Sequence, residues 1–201
     1  MAGLPRLCPE GATLQIDLTD YESRFLSGPD AMETFSPMSV WEALQADYGG
    51  EQGAEAAYSQ IAQILVRKFH VEKGRPFETK AGRTILNLSV WLDSFDKKMG
   101  KNRLSISCRD DVCTVLKALA GFMAWSGMDA DDAQQAVHPW IIRFGDSRYN
   151  LESRSRHAVA EGLAIATYQN RFEFHFHGNL GEQLPVFLSL YGLQFMRGAA
   201  A

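Results

Sequence analysis

Apolar and polar residues alternate with period two in "RFEFHFHGN" (171–179), where Phe172, Phe174 and Phe176 share one side of a strand and Glu173, His175 and His177 the other. The same period marks "TLQIDL" (13–18), with Leu14, Ile16 and Leu18 in register, and "RTILNLSVWL", with Leu86, Leu88, Val90 and Leu92. "RLSISC" alternates Leu104, Ile106 and Cys108, and "PWIIRF" alternates Trp140, Ile142 and Phe144; both read as strands. A hairpin is therefore expected over "DSFDKKMGKN".

Helical spacing governs other stretches. Ser36 and Pro37 supply an N-cap and a first-turn proline for a helix through Trp41 and Leu44 that stops at Gly49-Gly50. Ala57, Ile61, Ile64, Leu65 and Phe69 form the stripe of a second helix over about 54–71. Val112, Val115, Leu116, Leu119, Phe122 and Met123 mark a third, with Ser107 and Asp110 as its capping box and Gly127 as its stop. A short acidic helix follows over 130–137, and a long one starts at an Asn150 cap and runs to about Tyr168, where Gln169-Asn170 turns the chain. The segment "SGPDAMETFSP" reads as an irregular connection, and the apolar tail from 180 to 201 docks on the body. These elements predict one domain over 1–201 with an irregular segment over 1–35. Its class is α+β, a mixed sheet of about five strands with four or five packed helices.

Composition narrows the class. Apolar residues at 46% and charged residues at 22% are ordinary globular values, enough for a sizeable core. No apolar run approaches the roughly 18 residues that cross a bilayer, and "MAGLPRLCPEGATLQ" lacks the basic start and apolar stretch of a secretory signal. The expected location is cytoplasmic and no membrane partner is expected. Cys8, Cys108 and Cys113 form no CxxC pair, which speaks against a disulfide framework or a zinc knuckle.

The net charge of −4 is unevenly spread: residues 1–66 carry −8, residues 67–103 carry +6 and the rest −2. The basic centre includes Arg67, Lys68, Lys97, Lys98, Lys101 and Arg103, with the last four at the expected hairpin tip. Such a patch fits phosphates or an acidic protein face. Net acidity favours a protein, because a nucleic-acid binder carries an overall basic excess. Nucleic acid remains the second partner class for 67–103; the oligomeric state is not legible.

Chemistry offers three further readings. His175, His177 and Glu182 stand at H-x-H-x4-E, which resembles the first metal motif of cupins over eight residues. The flanking glycines are absent and the helical content contradicts a jelly roll, so no metal or cofactor is assigned. Cys113 before His175 and His177 resembles the order of a papain-like thiol hydrolase, in which a helix N-terminus and an imidazole favour the thiolate. Asp110 and Asp111 oppose that thiolate. His70, His138 and His157 suit capping or solvated positions, His157 on a helix edge with Arg154 and Arg156. No G-x-G-x-x-G, G-x-x-x-x-G-K-[ST] or G-x-S-x-G occurs. The leading expectation is a non-enzymatic adaptor or small subunit; a cysteine hydrolase using Cys113 with His175 or His177 is second, and a metal-dependent enzyme on the His-x-His strand third.

Overall fold

The computed structural model describes residues 15–27, 35–75 and 77–198. Among the described residues the helices α1 (Leu18–Phe25), α2 (Pro37–Tyr48) and α3 (Glu51–Phe69) come first. Then come β1 (Glu72–Lys73), β2 (Glu78–Lys80), β3 (Arg83–Ser89), a short α4 (Ser94–Lys98) and the long helices α5 (Ile106–Trp125) and α6 (Ala130–Gly145). Strands β4 (Ser155–Ala160), β5 (Leu163–Thr167) and β6 (Arg171–Phe176) precede α7 (Gly178–Tyr191), a 3-10 turn and β7 (Arg197–Gly198). The fold is α+β, with a five-stranded sheet in the order β2-β3-β6-β5-β4. Every pairing in that sheet is antiparallel, and β1 pairs with β7 in parallel apart from it.

One face of the sheet carries the core. Phe172, Phe174 and Phe176 point from β6 into the helical layer, where Phe172 meets Phe144 of α6, Phe174 meets Phe69 of α3 and Phe176 meets Phe122 of α5, at ring separations of 5.1, 5.2 and 6.3 Å. Helix α5 is central: Val112, Val115, Leu116, Leu119, Phe122 and Met123 have no exposed surface. Leu180, Leu184, Phe187 and Leu188 of α7 are also buried, and Phe187 packs on Phe122 and Trp125. Burial of that many large apolar side chains, at about 1.5–3 kcal/mol each, is the main force holding the layers together.

Local rules account for the elements that match the pattern. Ser36 accepts from the Ser39 amide and Pro37 opens α2, which ends at Gly49. The Ala57, Ile61, Leu65, Phe69 stripe of α3 is buried, and β3 and β6 lie where period two places them.

Four expectations are corrected. In "TLQIDL" residues 13 and 14 lie outside the described set, and instead of a strand Asp17 accepts from the Thr19 amide at 2.9 Å and caps α1, so 1–35 is not irregular throughout. The hairpin of 83–108 shrinks to a single bridge, Leu92 with Leu104, because Ser105 rather than Ser107 caps α5 and Asp93 caps α4 inside the supposed loop. "PWIIRF" is the second half of α6: Ala133, Val137 and Phe144 are buried on one face, while Pro139 sits on the exposed side. The helix expected over 150–168 is the hairpin β4–β5, turning at Glu161-Gly162 with Gly162 at φ 85°. Of the irregular connection "SGPDAMETFSP", residues 28–34 lie outside the described set.

Candidate interaction surface

The sheet stands between His175 and the helical layer that holds Cys113. Glu173 and His175 project from the face of β6 opposite the phenylalanines, with His175 across from Ile85 and Ala164. The Arg171 guanidinium donates to Glu173 at 2.9 Å, and the Glu173 carboxylate lies 3.4 Å from His175 Nε2. Burial, aided by the Arg156 charge, holds the His175 pKa below its ordinary value. His177 stands exposed at the N-cap of α7, its amide donating to the Gly162 carbonyl at 3.0 Å. Cys113 belongs to the helical layer, where its thiol donates to the Ile141 carbonyl 3.6 Å away and burial pushes its pKa up. The structure therefore brings neither histidine to Cys113. Among the described residues no three His, Cys, Asp or Glu side chains gather as a metal site requires, Glu182 included.

The basic centre divides into paired and unpaired charges. Arg103 is drawn into the structure by Asp96, 3.4 Å away and comparably sheltered, and Lys68 of α3 is bonded to Asp111 of α5. Among the described residues no ion pair engages Arg67, Lys97, Lys98 or Lys101, all of them exposed. Lys97 and Lys98 lie on α4, and Lys101 just after it, not at the tip of a hairpin.

Beside these lysines lies a surface that periodicity did not announce. Asp93 accepts from the Phe95 and Asp96 amides, and its own amide donates to the Arg103 carbonyl at 2.8 Å. Leu92 and Leu104 anchor the inner side of this turn to the core. Phe95 and Met99, four residues apart, are left 71% and 63% exposed. Trp91 is 54% exposed, and its carbonyl accepts from Ser105, the residue before Ile106, which is 70% exposed. The Trp91 amide donates to Cys108 Sγ at 3.2 Å, so the buried Cys108 fixes the end of β3 to the start of α5. A cavity of about 420 Å3 opens behind Trp91, walled by Ile64, Arg67, His70, Leu88 and Asp111.

The sequence carried no cue to this surface: the five-residue helix that leaves Phe95 and Met99 outward lies inside the stretch whose pattern reads as a hairpin loop. No family model, no curated protein and no solved structure matches the chain.

Proposed function

We propose that the chain is a non-enzymatic interaction protein, an adaptor or small subunit that binds an acidic, partly apolar segment of a partner protein at the Trp91 surface. The observation that carries this reading is that one short stretch, 91–106, closed by the Ser105 amide on the Trp91 carbonyl, exposes four large apolar side chains (Trp91, Phe95, Met99, Ile106) and three lysines without an ion pair among the described residues (Lys97, Lys98, Lys101). Solvent-exposed residues of the first kind are anchors at protein interfaces, tryptophan above all, whereas a rim of lysines steers an acidic partner. Arg67 at the mouth of the Trp91 cavity extends the basic rim. Arg103 and Lys68 serve as struts of the surface, since each is already neutralised within the fold.

A reducing, cytoplasmic setting belongs to the same reading, in keeping with the free thiols of Cys108 and Cys113. Among the described residues no helix is long and apolar enough to cross a membrane. Neither the hydrolase nor the metal reading gains support from the geometry.

The test is quantitative capture from lysate of the source cells, with and without nuclease treatment, by three forms: the unmodified chain, Lys97→Glu/Lys98→Glu/Lys101→Glu, and Phe95→Ser/Met99→Ser. A partner held by the first and lost by both others, with retention falling as salt rises, is the expected result. An identical captured set from all three would end the proposal. Loss of the captured set on nuclease treatment would move the ligand to nucleic acid.

A further inference from the structure

A second surface adjoins the Trp91 cavity along α3. A groove of about 870 Å3 runs between α3, α5 and α6, floored by Ile61, Ile64, Ala118 and Ile141 and edged by Lys117 and His138. That volume lies within the roughly 300–1,000 Å3 of ligand-binding sites. One end is entered by the chain's own Gln15, Ile16 and Asp17. There the Gln60 side chain accepts from the Gln15 amide at 2.8 Å and donates to the Gln15 carbonyl at 2.7 Å.

A primary amide that meets both the N–H and the C=O of one residue recognises main chain, whatever side chain that residue bears. Ile16, next in line, is half-buried and lines the groove, and Asp17 ends the extended run by capping α1. Both Gln60 bonds are open to solvent. Water competes for them, so this three-residue strap can exchange with another chain.

We propose that the groove is a docking site for an extended segment of a partner protein, gripped through its main chain by Gln60 and through an aliphatic side chain in the place of Ile16, with Gln15–Asp17 the resident strap that this segment displaces. Lys117 in the groove lining favours a segment that carries an acidic residue as well as the aliphatic one. The proposal rests on the protein-binding reading only in taking polypeptide as the ligand. Its site adjoins the Trp91 cavity, with Gln63 and Ile64 of α3 lining both, but its grip lies at Gln60 and not at the lysines.

The probe is a fluorescein-labelled, N-acetylated peptide with the sequence of residues 12–20, titrated by fluorescence anisotropy against the full chain, Ile16→Asp, Ile16→Asp/Gln60→Ala and the triple lysine reversal. The peptide competes with a tethered strap, so loosening the strap with Ile16→Asp should tighten binding by about fivefold or more. Gln60→Ala in that background removes two hydrogen bonds and should weaken binding by about tenfold. The lysine reversal should leave peptide binding unchanged, which keeps this result apart from the fate of the Trp91 surface. Melting curves confirm folding of each variant, with Ile16→Ala as the substitute if Ile16→Asp does not fold. No saturable binding to the loosened-strap variant would overturn the proposal. Binding indifferent to Gln60→Ala would overturn the main-chain grip.

Discussion

Cys113 sits in mid-helix, with Lys117 and Arg109 too weak to reverse the rise in thiol pKa that burial and Asp110 impose. At neutral pH its thiolate fraction is therefore below that of a free cysteine. Iodoacetamide should alkylate Cys113 more slowly than a cysteine in an unstructured peptide, and faster labelling would restore the hydrolase reading. His175 and His157 both have pKa values held below 6.5, His175 by burial and then Arg156, His157 by burial and then Arg143. Since the folded state resists protonation, the unfolded chain takes up protons first as pH falls through about 6.5. The stability these residues allow is complete above that pH and declines below it until the folded-state values are reached. The melting temperature should drop between about pH 7.5 and about pH 5.5, and less so in His175→Gln or His157→Gln. Asp17 and Asp146, lowered by backbone hydrogen bonds from Thr19 and Arg148, titrate beneath this window. An equal drop in all three proteins would show that carboxylates elsewhere dominate.

At the level of elements, a pattern was legible where one local rule acted unopposed. Ser36-Pro37, the α3 stripe and the Phe172–Phe176 alternation each had a single reading. Where two rules competed, the one tied to tertiary burial won. The stretch "HAVAEGLAIAT" has the alanine content of a helix, yet Leu163 and Ile165 complete the sheet's inner face, and Ala164 and Ala166 are narrow enough to lie beside His175 and Glu173. In α6 a proline costs about 3 kcal/mol, but stopping there would leave Phe144 off the core that Val137 and Ala133 already contact. Of the site, the lysines were visible as composition; the ion pairs of Arg103 and Lys68, and the exposure of Trp91 and Phe95, depend on a turn geometry that no periodicity encodes. The β4–β5 turn permits a direct check. A Cβ on Gly162 would stand 3.0 Å from the His177 carbonyl oxygen, at φ 85°. Gly162→Ala should cost roughly 1–3 kcal/mol in denaturant unfolding. A midpoint equal to that of the unmodified chain would mean that the hairpin relaxes freely.

For the molecule as a whole, the proposed interaction assigns the charge asymmetry, −8 over residues 1–66 and +6 over residues 67–103, to steering before contact and Trp91, Phe95, Met99 and Ile106 to packing after it. The two therefore govern different rates. Exposed, unpaired lysines contribute little to folding, so Lys97→Glu/Lys98→Glu/Lys101→Glu should melt within about 1–2 °C of the unmodified chain. Measured by surface plasmon resonance against the captured partner, the same variant should lose association rate. The loss should shrink as salt rises past physiological strength, where screening acts over about 8 Å. Phe95→Ser/Met99→Ser should associate at nearly the unmodified rate and dissociate at least tenfold faster, as expected when short-range packing rather than steering is removed. The inverse split, with lysines setting the off-rate and apolar residues the on-rate, would place the lysines in buried contacts with the partner. The Trp91 surface would then be a gate to the contact and not its centre.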